Sequence, residues 1–229
     1  MGTLIKALEG PDGVKKHQSR LVAVGIDLAG SEKRDTGFST MDERLHCSAR
    51  VLHTDAEILS ATLAAKPGVV SIDAPLFLPR GRASLEVKGP PHFRECDKEL
   101  LRMHIRFFPI SLGPMRMLTA RGMRLRSVLE SEGLEVIESF PGAIQDLLGM
   151  PRKQRGLGLL RKALASYGVT FDGNGTELGG DELDGITSAL VGLQYLRGDY
   201  RAIGDPEEGL MILPAPSHPD RRRSQGSSF

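Results

Sequence analysis

Residues 21–30 read L-V-A-V-G-I-D-L-A-G. An apolar run carrying the β-branched residues Val22, Val24 and Ile26 ends in a carboxylate, Asp27, and is closed by Ala29-Gly30. Such a run, bounded by a breaker, reads as a buried strand. Downstream, residues 36–41 and 46–52 are two further strands, separated by the polar turn Asp42-Glu43-Arg44. Three strands joined by short turns make an antiparallel meander. Residues 57–66 have helical spacing and stop before Pro67-Gly68. Residues 69–73, V-V-S-I-D, then repeat the first pattern: an apolar run, an Asp, and a breaker at Pro75.

Residues 79–93 are rich in Pro, Gly and charge and form a loop. Helices are expected over 94–106, 120–132, 143–148 and 157–167, with a buried strand at 134–138, L-E-V-I-E, before Pro141. A Gly-rich loop at 173–180 leads into a helix over 181–196. Its apolar stripe is Leu183, Ile186, Leu190 and Leu193. A last short strand falls at 210–213. Residues 1–20 read as an N-terminal arm, 21–213 as one domain, and 214–229, rich in Pro, Ser and Arg, as a disordered basic tail. Strands that first follow one another and later alternate with helices give an α/β, RNase H-like fold. Its mixed central sheet opens with a three-strand antiparallel meander and carries helices on both faces.

Composition narrows the function classes. The chain has 229 residues, 40% hydrophobic and 26% charged, with a formal net charge of +1. Bulk charge therefore neither demands nor excludes nucleic acid, and any basic surface is local. No apolar run reaches 18 residues, so no membrane span is expected, and the first residues lack the apolar core of a signal peptide. Cys47 and Cys96 are too few for a disulfide framework and are expected as reduced thiols of a cytoplasmic protein. The pattern G-x-x-x-x-G-K-[ST] is absent, as are H-E-x-x-H and G-x-S-x-G. His92, Cys96 and His104 lack a fourth ligand and fit no zinc spacing.

Asp27, Asp73 and Glu138 each end an apolar strand. Neighbouring strand ends in one sheet can bring such carboxylates together, and a carboxylate cluster is unfavourable until a cation neutralises it. Hard oxygen ligands suit Mg²⁺ or Mn²⁺. Asp181 and Asp184, spaced D-E-L-D, lie one turn apart at the start of the last helix and can join them. Each acid also has an ordinary alternative. Asp27 serves equally as a turn residue, Asp181 as a helix N-cap with Asp184 at the third helical position, and Glu138 as a solvated side chain.

The ordered set V-G-I-D-L-A-G (24–30), S-I-D-A-P-L (71–76), R-E-C-D (94–97), G-P-M-R-M-L (113–118), E-S-F-P-G-A (138–143), P-R-K-Q (151–154) and D-E-L-D-G-I-T-S-A-L (181–190) resembles domain-of-unknown-function family 429. That is a set of predicted nucleases with an RNase H-like fold, and the likeness covers nearly the whole of 21–213. The D-x-x-D helix start also resembles that of RuvC-type resolvases. The resemblance implies Asp27, Asp73 and Asp184 as metal-binding acids, with Glu138 and Asp181 as further candidates. It also singles out Arg94, Asp97 and Lys153. Residues 94–126 hold eight Lys or Arg against three acids, and positions 94, 98, 102 and 106 step by four. That reads as a basic helix stripe able to hold phosphates, or as a solvated face paired with Glu95, Asp97 and Glu99.

The expected function is a metal-dependent nuclease. Asp27, Asp73, Asp184 and Glu138 are its catalytic acids, and Asp27, Asp73, Asp184 and Asp181 its Mg²⁺ or Mn²⁺ ligands. Arg94 and Lys153 contact substrate, and nucleic acid is the partner. Two alternatives stand beside it. One is a nucleotide-binding protein of the actin-like ATPase type, since G-I-D-L-A-G-S resembles a first phosphate loop. The other is a non-catalytic RNase H-like binding protein. Substrate and oligomeric state are open.

Overall fold

The opening strands pair as their alternation demands. In the computed structural model, which describes residues 21–172 and 178–216, β1 (Val22–Asp27), β2 (Thr36–Asp42) and β3 (His46–Leu52) form an antiparallel meander. The chain continues through α1 (Asp55–Ala65), β4 (Val69–Asp73), α2 (Glu95–Arg102), α3 (Gly113–Ser131), β5 (Val136–Ser139) and α4 (Pro141–Leu147). A 3-10 turn at Lys153–Arg155 precedes α5 (Leu157–Tyr167), β6 (Thr170–Phe171), α6 (Gly180–Leu196), β7 (Tyr200–Asp205) and β8 (Gly209–Pro214). One eight-stranded sheet results, in the order β6-β3-β2-β1-β4-β5-β8-β7. β4 and β5 add parallel to β1 on the side away from the meander, β8 adds parallel to β5, and β7 closes an antiparallel hairpin with β8. A meander extended by parallel strands, with helices on both faces, is the RNase H-like fold.

Strand alternation builds two cores. Val24, Ile26, Val70 and Ile72 pack with Ile58 of α1 and Leu125 and Leu129 of α3 on one face. Ala23, Val69 and Ile137 pack with α6 on the other, together with Leu160 and Leu164 of α5. The stripe Leu183, Ile186, Leu190 and Leu193 is fully buried there. No helix among the described residues is long and apolar enough to cross a membrane.

Several element boundaries shift for identifiable reasons. α1 begins at Asp55 rather than 57, because Thr54 and Glu57 form a capping box. α3 begins at Gly113 rather than 120, with Pro114 in its first turn. The helix expected over 94–106 holds only Glu95–Arg102: Met103 caps it, and His104 adopts φ 58°. Arg106 lies beyond that helix and Arg94 before it, so the four-residue stripe of cations does not form. β7 was not expected from its sequence. The N-terminal arm, the start of the Gly-rich loop (173–177) and the tail from Ser217 lie outside the described residues.

α6 sits on the sheet backbone against backbone. A Cβ at Gly25 would stand 2.1 Å from the Gly185 carbonyl oxygen, and one at Gly37 would stand 1.8 Å from the Asp181 carbonyl oxygen. Only glycine permits that approach. It sets the first turn of α6 directly over the C-terminal end of β1.

Candidate functional site

Asp27 and Asp73 end adjacent parallel strands in the same register, Asp27 opposite Asp73. They follow Ala23, Gly25, Val69 and Ser71 on the α6 face. α6 supplies Asp181 and Asp184. Its N-cap is Gly179, whose N–H donates to Glu182 at 2.7 Å, so Glu182 does the capping and Asp181 does not. Asp184 is held by Gln145 of α4, whose Nε2 donates to its Oδ1 at 2.7 Å and lies 3.3 Å from Thr187 Oγ1.

Three of these acids converge on one cation position, with Asp73 beside them. The Lys153 ammonium lies 3.0 Å from Asp27 Oδ2, 3.0 Å from Asp181 Oδ1 and 2.8 Å from Asp184 Oδ2. Burial pushes the Asp27 carboxyl up to about 7; Lys153 opposes the rise, and Asp184 and Asp181 add to it. Burial, then Asp27 and Asp184, hold Asp73 well above the ordinary carboxylate range against the pull of Lys153. Burial alone would lower the Lys153 pKa, but Asp27 and Asp184 outweigh it and raise it. For the two acids burial leads and the crowding of carboxylates around one ammonium adds to it; for Lys153 that crowding prevails.

Glu138 is not part of this convergence. Its register partner is Ile72, and Ser139 is the residue opposite Asp73. The pleat therefore turns Glu138 away from the α6 face, while Ser139 Oγ donates to Ser188 Oγ of α6 at 3.2 Å. Glu138 Oε2 accepts from the Leu76 N–H at 2.8 Å and from Arg94 Nη1 at 2.7 Å. Arg94 in turn grips Asp97 through Nε at 3.1 Å and Nη2 at 2.8 Å. Arg94 and Glu138 are 3% and 1% exposed. Burial raises the Glu138 pKa, and Arg94 opposes the rise. The structure thus places Glu138 and Arg94 together beside the acid cluster rather than within it. The guanidinium is spent on two buried carboxylates, and the three side chains form an internal strut. Lys153 faces Asp27, Asp181 and Asp184.

The donor set fits a hard divalent cation. All four acids offer carboxylate oxygen, and an ammonium bridging three of them shows that a cation can be seated there. Among the described residues, no three His, Cys, Asp or Glu side chains are drawn to metal-ligand spacing; Lys153 fills the space between Asp27, Asp181 and Asp184. Sequence reading missed Gln145 as the group that orients Asp184. A lone amide in A-I-Q-D-L-L, on a helix otherwise apolar toward the core, was its only signal.

Two solved structures of RuvC resemble the chain. T. thermophilus RuvC in complex with Holliday junction substrate is 13% identical, with a TM-score of 0.47, covering 78% of this chain and 96% of that chain. A second Thermus thermophilus RuvC structure is 14% identical, with a TM-score of 0.40, covering 78% and 97%. The likeness is one of fold. No protein-family model matches the chain, and no curated protein does.

Proposed function

We propose that the chain is a metal-dependent nuclease of the family 429 type, hydrolysing phosphodiesters in nucleic acid at the Asp27 cluster. One observation carries the reading: acids from β1 and the first turn of α6 close on a single cation, with Asp73 beside them. They do so at the C-terminal ends of parallel strands, where open α/β sheets place their sites.

Asp27, Asp73 and Asp184 would hold Mg²⁺ or Mn²⁺, with Asp181 at the more open rim. Bound there, the ion supplies positive charge to a phosphate oxygen and acidifies water for in-line attack. The chain's own residues do the rest. Gln145 fixes the Asp184 carboxylate through its amide. Lys153 carries the positive charge nearest the cluster and offsets charge that develops on the phosphate. The described residues build one sheet, whereas an actin-like ATPase closes two such domains on its nucleotide.

The test is cleavage of a panel of single-stranded, duplex and branched DNA and RNA with Mg²⁺ or Mn²⁺, beside Asp27→Asn. Metal-dependent cleavage lost in the variant supports the reading. No cleavage across the panel, with no Mn²⁺ heat signal by calorimetry, overturns it in favour of a non-catalytic binding protein.

A further inference from the structure

Two cavities adjoin beside Asp73. The larger, about 930 Å³, opens from Asp73 and Ser139 and is walled mainly by apolar groups, among them Leu101, Ile105, Phe107, Phe108, Met115 and Leu118. The second, about 740 Å³, is walled by Asp146, Gly149, Met150, Pro151 and Arg155. His104, Arg106 and Arg152 line both, so the two make one trough, apolar at the Asp73 end and basic at the other.

The charges in this trough are unequally committed. Arg94 is consumed by Asp97 and Glu138, and Arg152 by Asp146 at 3.0 Å. Arg106 and Arg155 are exposed and have no ion-pair partner among the described residues. Phe108 is 70% exposed at the trough wall. Its neighbour Phe107 is braced edge-on by Phe93, with ring centroids 6.0 Å apart. An occupant that satisfies these walls is apolar and flat at one end and anionic at the other.

A regular duplex buries its base faces in its own stack. An unstacked nucleotide presents a base face and a phosphate together. Resting on the nuclease reading above, the geometry points to a nucleic-acid substrate with an unpaired base beside the scissile phosphate. The base lies in the apolar end against Phe108, and an adjoining phosphate lies on Arg106 and Arg155. The chain thereby selects single-stranded or locally unpaired nucleic acid over perfect duplex.

Fluorescence anisotropy on the full chain tests this without any cleavage step, first in EDTA and then in Ca²⁺. The probes are a labelled single strand as DNA and as RNA, its perfect duplex, and an abasic strand of equal length. The intact single strand should bind about tenfold tighter than the duplex or the abasic strand. Phe108→Ala should bring the intact strand to the abasic level and leave the abasic strand unchanged. Arg106→Ala with Arg155→Ala should weaken both strands and flatten the salt dependence. All three side chains are exposed, so folding is spared. Equal or tighter duplex binding overturns the inference, as does a Phe108→Ala loss that ignores the bases, or no binding in either buffer. Base-dependent binding without metal-dependent cleavage would sink the nuclease reading and leave the trough as a binding site. Cleavage with no base dependence would do the reverse.

Discussion

Gly37→Ala puts a methyl group where α6 touches the sheet. The added Cβ would lie 1.8 Å from the Asp181 carbonyl oxygen and 2.2 Å from its carbonyl carbon. Ordinary contact begins near 3.4 Å, so helix and strand must separate by about 1.6 Å. Neither wall is a flexible side-chain tip, and overpacking of this kind costs about 3 kcal/mol. The same shift carries Asp181 and Asp184 away from Asp27, whereas a ligand set tolerates about 0.5 Å. Gly37→Ala should therefore lower the urea midpoint and also abolish Mn²⁺-induced stabilisation. Gly185→Ala is the internal control. Its Cβ would stand 3.1 Å from the Gly37 carbonyl oxygen, which a few tenths of an ångström relieve. Alanine inside a helix gains about 1 kcal/mol over glycine, so that variant should come out near neutral. Both effects are read from urea denaturation at constant m, with and without Mn²⁺. If Gly37→Ala stays within about 1 kcal/mol of the parent and keeps its Mn²⁺ response, the seating of α6 described above is wrong.

Four further outcomes follow from the charges. Asp27 holds its proton more tightly in the folded chain than in the unfolded one, up to about 7. Metal-free stability should therefore fall as pH rises from about 4 to about 7, and Asp27→Asn should flatten part of that slope in denaturation series run in EDTA. Arg94→Ala strands Asp97 and Glu138 without their shared cation and should cost about 3–5 kcal/mol in urea denaturation. Glu138→Gln should leave Mn²⁺ affinity by calorimetry close to that of the parent. Lys153→Met removes the ammonium seated among Asp27, Asp181 and Asp184. Thermal shifts should then show a larger stabilisation by Mg²⁺ or Mn²⁺ than in the parent, approaching about 2.7 kcal/mol at a hundredfold excess over Kd.

The two strand-end aspartates were legible because a strand announces its own end: β-branched apolar residues, an acid, then Ala29-Gly30 or Pro75. Their shared register was not legible, and neither was that of Glu138. A strand's sequence shows that an acid closes it, but the pairing decides the face, and one residue of register reverses it. Glu138 sits opposite Ile72 rather than Asp73, and that single step takes it out of the cluster. Spacing by four likewise indicates a helix stripe only while the helix lasts. The His104 backbone ends α2 too early for Arg106, and Arg94 lies one residue too early to be on it. β7, Y-R-A-I-G-D, carries too little apolar alternation to show itself; it exists because β8 offers it an edge. Lys153 and Gln145 reach the cluster across long sequence separations, and no local pattern records that.

Two charged clusters stand near the same sheet edge, and their charge and exposure separate their roles. Around Arg94, two carboxylates share one guanidinium at the wall of the larger cavity, with each long side chain buried and hydrogen-bonded in a fixed geometry. Both carboxylates there are already held by the guanidinium, which is the condition of a strut. Around Lys153, Asp27, Asp73, Asp181 and Asp184 face one ammonium, leaving three negative charges when all are ionised. Burial first, and then the neighbouring acids, raise the pKa values of Asp27 and Asp73. This cluster is open at its rim, since the Asp181 side chain is 45% exposed. On the reading proposed above, a divalent ion entering past Asp181 would lower the repulsion that one lysine cannot cancel, drawing in the oxygen donors that Lys153 now separates. On that reading, the feature that makes the metal-free cluster unfavourable is the one that would give a cation its affinity. Neutralising any one of these aspartates should therefore make the metal-free chain more tolerant of high pH while weakening its hold on Mn²⁺.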